Sequence, residues 1–82
     1  MKITAEISMY PLSDEYIPRI TKFIERLKAE SGIKIEVNST STRLSGNSEL
    51  VYQVLKQEME ESWVESGQAI FVTKFLLGDL LS

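Results

Sequence analysis

The strict alternation at the start of the chain constrains its fold more than any other feature. Ile3, Ala5, Ile7 and Met9 share one parity, and Thr4, Glu6, Ser8 and Tyr10 share the other. A period of two is the signature of a β-strand with one buried face. Pro11 stops it, because proline cannot donate to a β-ladder. The buried face needs a covering layer, and the rest of the sequence offers one. Ser13 or Asp14 can cap a helix carrying Ile17, Ile20, Phe23, Ile24 and Leu27 at helical spacing. Pro18 fits only a first turn, and Gly32 is placed to end the helix in the left-handed region. Ile33, Ile35 and Val37 then alternate as a second strand. Residues 38–42 form a turn into a third strand through Arg43, Leu44 and Ser45. Asn47 or Ser48 caps a second helix with Val51, Val54, Leu55, Met59 and Trp63 on one stripe. Gly67 ends that helix, and the last strand runs from Gln68 to Leu77.

The order is β-α-β-β-α-β. Right-handed crossovers place both helices on one face of an antiparallel sheet, with the first and third strands central. The expected fold is a ferredoxin-like α+β sandwich occupying residues 1–82 as one domain. Eighty-two residues bury roughly 60% of the surface of the unfolded chain, so the core is thin. Small domains supplement such a core with disulfides, metals or subunit contacts. With no Cys and no His, this chain lacks disulfides, thiolate sites and the commonest metal ligand, which leaves oligomerisation. A net charge of −3 without a basic stripe argues against a nucleic-acid partner. Glu6 breaks any secretory h-region, and no apolar run has the length of a membrane span. A soluble, cytoplasmic protein without membrane insertion is expected.

Catalysis has little to work with. No Ser-His-Asp or Cys-His set exists, and the glycines form no phosphate-cradling loop. The chain reads as a non-enzyme without cofactor or metal. If Leu44 points toward the helices, Thr40 and Thr42 share its face, and hydroxyls there need partners, since unpaired buried polar groups cost about 1–3 kcal/mol. A polar ligand could be that partner; otherwise the threonines bond to the backbone or lie at the solvated strand end. Glu6, Ser8 and Tyr10 line the open face of a central strand, as a polar site or a wet interface. The run Glu58, Glu60, Glu61 and Glu65 beside Trp63 reads as a solvated helix face, or else as a cation site. The last strand is apolar on both faces, with Ile70, Val72 and Leu76 on one, and Phe71, Phe75 and Leu77 on the other. Such exposure on an edge strand marks a subunit interface, with Phe71, Phe75 and Leu77 as its residues and Leu80-Leu81 extending it. Alternatively the tail folds back over Phe71 and Phe75 within one protomer.

The segment Thr4-Ala-Glu-Ile-Ser-Met-Tyr-Pro-Leu12 resembles the start of the thiamine-binding, YkoF-like proteins. Ser41-Thr-Arg-Leu-Ser-Gly46 is similar to the stretch before their second helix, and the Glu-rich helix, Gly67 and the Val-Thr strand continue the match. The resemblance implies a ferredoxin-like domain that pairs into homodimers or homotetramers, or occurs as two fused copies. It also implies binding of thiamine or its hydroxymethylpyrimidine part without chemistry, as carrier or sensor. By matching position it places Ser8, Tyr10 and Thr42 in the ligand site, with Thr40 and Glu6 beside them. The competing reading from the residues is an assembly module with no small-molecule ligand.

Overall fold

The computed structural model describes residues 1–81. Six elements follow one another: β1 (Lys2–Pro11), α1 (Tyr16–Lys28), β2 (Lys34–Val37), β3 (Thr42–Asn47), α2 (Ser48–Ser66) and β4 (Ala69–Leu77). The strands form one sheet in the order β2-β3-β1-β4, antiparallel throughout. This is the ferredoxin-like arrangement expected from the sequence, with β1 and β3 central. The alternation in β1 does what its period demands. Ile3, Ala5, Ile7 and Met9 are buried under the helices, joined by Leu44 of β3, Phe23 and Leu27 of α1, and Val51, Val54 and Leu55 of α2.

The helix ends differ in detail from the sequence reading. α1 begins at Tyr16, not at the Ser13 or Asp14 cap. Ser13 Oγ instead accepts the Glu15 amide within the preceding turn, at 3.1 Å. Pro18 therefore stands third in the helix, inside the first turn, where no amide has an intrahelical acceptor. The helix closes at Ala29, three residues before Gly32, so Gly32 is no cap. It takes φ +83° in the next turn. Asn47 does cap α2, its side chain accepting the Glu49 amide at 3.1 Å. Gly67, at φ +79°, caps the other end.

The acidic run in the second half of α2 divides: Glu60 and Glu61 lie on a solvated face, where Glu60 pairs with Lys56, while Glu58 and Glu65 turn toward α1. Basic residues of α1 hold these two. Lys22 and Arg26 reach Glu65 at 2.7 and 3.1 Å, and Arg26 also lies 3.4 Å from the buried Glu58 and bonds Ser62 Oγ at 2.6 Å. Arg19 donates to the Ser66 carbonyl. Burial pushes the Glu58 carboxyl up despite Arg26, whereas Lys22 and Arg26 hold Glu65 below the usual range. Trp63 is not a core residue. It stays 43% exposed, donates from Nε1 to the Ala69 carbonyl and meets Phe71 edge-on.

The tail also departs from both readings offered for it. After Gly78, at φ +90°, the chain turns across the open face at the β1 N-terminal end. Thr4 Oγ1 donates to the Gly78 carbonyl at 2.8 Å and accepts the Leu80 amide at 2.9 Å. Asp79 accepts from Ser45 Oγ and pairs with Lys34 at 2.7 Å. The strap thus spans β1, β3 and β2. It buries Thr4, Ser45 and Leu81, and leaves Phe71 and Phe75 on the opposite side of the sheet.

Candidate functional site

The strand register creates a notch. β1 pairs with β4 from Ile3 opposite Leu77 to Pro11 opposite Ala69. Its pairing with β3 stops at Ile7, opposite Thr42. Ser8, Met9 and Tyr10 therefore have no strand partner on the β3 side. The β2–β3 hairpin loop fills the space beside them. Asn38 builds that loop: its backbone amide bonds the Ser41 carbonyl at 3.0 Å, and its side-chain oxygen accepts the Thr40 and Ser41 amides at 3.1 and 2.9 Å. Asparagine suits the position because its side chain can imitate a backbone turn. Two further bonds tie the loop to β1. Ser8 Oγ donates to the Thr40 carbonyl at 3.0 Å, and Ser41 Oγ to Glu6 at 3.3 Å.

Three cavities meet around this notch. The innermost, about 80 Å³, lies beneath α1 between Phe23, Ile20, Ile7 and the loop, with Thr42 at its base. The second, about 410 Å³, continues outward past Met9, Tyr10, Tyr16 and Ile20. The third, about 310 Å³, lies on the open face against Glu6, Ser8, Tyr10 and Lys74. Thr40 lines all three, and Tyr10 lines the outer two. Together they make a groove that starts under α1 and bends around the end of the sheet. The outer two each have the size of a small-molecule site, roughly 300–1,000 Å³.

The structure thus brings the five expected ligand residues to one groove but on different sides. Thr42 faces the helices, is 4% exposed and lines the inner cavity. Glu6, Ser8 and Tyr10 face the other way, and Thr40 stands at the bend. The two ends differ electrically. Among the described residues, no charged side chain lines either helix-side cavity, while Glu6 and Lys74 form an ion pair of 3.6 Å in the open-face cavity. Sequence reasoning missed Asn38, Ser39 and Tyr16. The Asn-Ser-Thr-Ser turn composition was the available signal for Asn38, and its role as organiser depends on the hairpin geometry.

The expected interface residues are divided as well. Phe71 packs inside the protomer, 5.2 Å from Phe23 and 5.5 Å from Trp63 between ring centroids. Phe75 leans on Tyr52 at 5.3 Å and stays half exposed, and Leu77 is 75% exposed. Ile70, Val72 and Leu76 are exposed on the open face. Among the described residues no helix is long and apolar enough to cross a membrane, and no cluster of His, Cys, Asp and Glu is arranged to hold a metal.

The sequence profile of the YKOF-related family matches residues 2–75. No curated protein matches the sequence significantly. Several solved structures share the fold. A protein from Streptococcus pneumoniae superposes with a TM-score of 0.88 at 24% identity, over 100% of this chain and 92% of its own. A candidate thiamine biosynthesis/salvage protein from Thermotoga maritima gives 0.84 at 19% identity, over 95% and 85%. A hypothetical protein from Methanocaldococcus jannascii gives 0.81 at 22% identity, over 99% and 84%.

Proposed function

The chain belongs to the YKOF-related family, and on that premise we propose that it binds thiamine, or the hydroxymethylpyrimidine part of it, without transforming it. Its Thermotoga maritima neighbour is described in terms of thiamine biosynthesis or salvage, which supports this ligand class. The observation that carries the reading is the groove itself. A neutral heteroaromatic ring suits the uncharged outer helix-side cavity past Met9, Tyr10, Tyr16 and Ile20, and Thr42, lining the smaller recess that shares Met9, Ile20 and Thr40 with it, carries a hydroxyl that can both donate and accept. A cationic second ring fits the far end, at Glu6. Ser8, Tyr10 and Thr40 mark the path between them. The protein would act as a carrier or sensor, as a homodimer or homotetramer.

Isothermal titration calorimetry with thiamine and with hydroxymethylpyrimidine tests the reading. Saturable binding of both at about one ligand per chain is the expected result. Absence of heat with either, from folded protein, would overturn it. One observation favours a second reading, an assembly module with no ligand: β4 is a nine-residue edge strand with exposed apolar side chains on both faces. That alternative predicts a stable oligomer whose titration with both compounds is silent.

A further inference from the structure

Charge is confined to one end of the groove, and there it is a neutralised pair. Glu6 and Lys74 are direct cross-strand partners between β1 and β4. Among the described residues, they are the one carboxylate and the one cation lining the open-face cavity. Their side chains differ in freedom. Glu6 is 31% exposed and takes a second bond from Ser41, whereas Lys74 is 74% exposed and touches Glu6 with its tip, at 3.6 Å. A lysine is a hydrated point charge on a flexible stem, so it can leave a fixed carboxylate without disturbing the strand.

We propose that Lys74 is a specificity-determining residue, which sets whether this groove prefers a cationic ligand or that ligand's phosphate ester. The inference rests on the ligand reading given above and adds the end-group selectivity. A cationic ring approaching Glu6 must displace the Lys74 ammonium, so Lys74 opposes it. A phosphate group at the same end meets the displaced ammonium as its counter-ion, so Lys74 favours it. Both ligands carry the cationic ring, so that opposition is common to them, whereas the attraction to phosphate acts on the ester alone and sets the preference.

The test compares thiamine with thiamine monophosphate by calorimetry, on the unaltered protein, Lys74→Gln and Lys74→Arg. Hydroxymethylpyrimidine, measured alongside, reports whether the helix-side end of the groove is intact. An exposed ion pair has modest worth, so each effect should be about two- to five-fold. Lys74→Gln is expected to tighten thiamine and to leave the monophosphate unchanged or weaker, raising the ratio of their affinities about two- to five-fold. Lys74→Arg should hold the ratio near that of the unaltered protein. A ratio unchanged in Lys74→Gln, or changed equally in Lys74→Arg, overturns the selectivity role while leaving the ligand reading intact. Failure of all three compounds to bind the unaltered protein overturns the ligand reading and this inference with it.

Discussion

Thr42 and Asp79 are both polar residues of the sheet region, yet they do opposite jobs. The Thr42 side chain lies beneath α1 and lines the inner cavity, and its hydroxyl is not among the buried atoms left without a partner. Thr42→Val keeps the shape and removes the hydroxyl. It should leave unfolding by urea unchanged or slightly improved while weakening pyrimidine binding about three- to ten-fold, the worth of one hydrogen bond. Equal affinity in the two proteins would take Thr42 out of the site. Asp79 is fully partnered. Hydrogen bonds from Lys34 and Ser45, and from the Leu81 amide, hold its carboxyl down at about 2 from an ordinary 3.8. Its folded value lies below its unfolded one, so its contribution is complete above roughly pH 4 and is lost as pH falls toward 2. Denaturation curves across that window should show a shallower acid dependence for Asp79→Asn than for the unaltered protein.

At the scale of elements, the two helices are joined by a charge pattern as well as by apolar stripes. Arg19, Lys22 and Arg26 recur along one face of α1 and meet Glu58, Glu65 and the Ser66 carbonyl at the end of α2. The exposed Lys22–Glu65 contact carries little, as surface pairs do. Arg26–Glu58 is different because Glu58 is 5% exposed and burial already raises its pKa. Arg26→Met leaves that carboxylate without its partner and should cost on the order of 2–3 kcal/mol. Adding Glu58→Leu should recover most of the loss, since an apolar pair of similar volume avoids the desolvation penalty. Chemical denaturation of the single and double variants measures both numbers.

For the whole molecule, the two edges of the sheet are unlike. β2 is four residues long, and its Lys34 and Glu36 are engaged by Asp79 and Arg43. Short, charged strands resist unwanted pairing. β4 is long and apolar, with Phe75 and Leu77 exposed toward the helix side and Ile70, Val72 and Leu76 toward the open side. The strap occupies the open face at the β1 N-terminal end, so the uncovered part lies beside Tyr10 and Val72. If assembly uses β4, replacing Phe75 and Leu77 with Ser should lower the mass seen in sedimentation without loss of helicity. Phe71→Ala is the contrasting variant. It removes contacts to Phe23 and Trp63 and should cost about 3 kcal/mol of protomer stability. Dissociation by Phe71→Ala without destabilisation would reverse these assignments.

Local periodicity was enough to determine the order of elements, the buried parity of β1, a cap at Asn47 or Ser48 and the stop at Gly67, because each depends on neighbours within a few residues. It also placed Thr42 beneath the helices and Glu6, Ser8 and Tyr10 on the other side, since alternation alone assigns faces. Tertiary structure decided the rest. The notch beside Ser8–Tyr10 exists because the β1–β3 register ends at Ile7, and register is a relation between strands far apart in sequence. The fate of the acidic run depended on which face α1 turned toward α2. The path of the tail depended on Thr4 and Ser45 lying side by side on adjacent strands, where two hydroxyls and Lys34 could hold Gly78–Leu81. A linear pattern records what each residue prefers; which partner satisfies it is fixed only when the sheet closes.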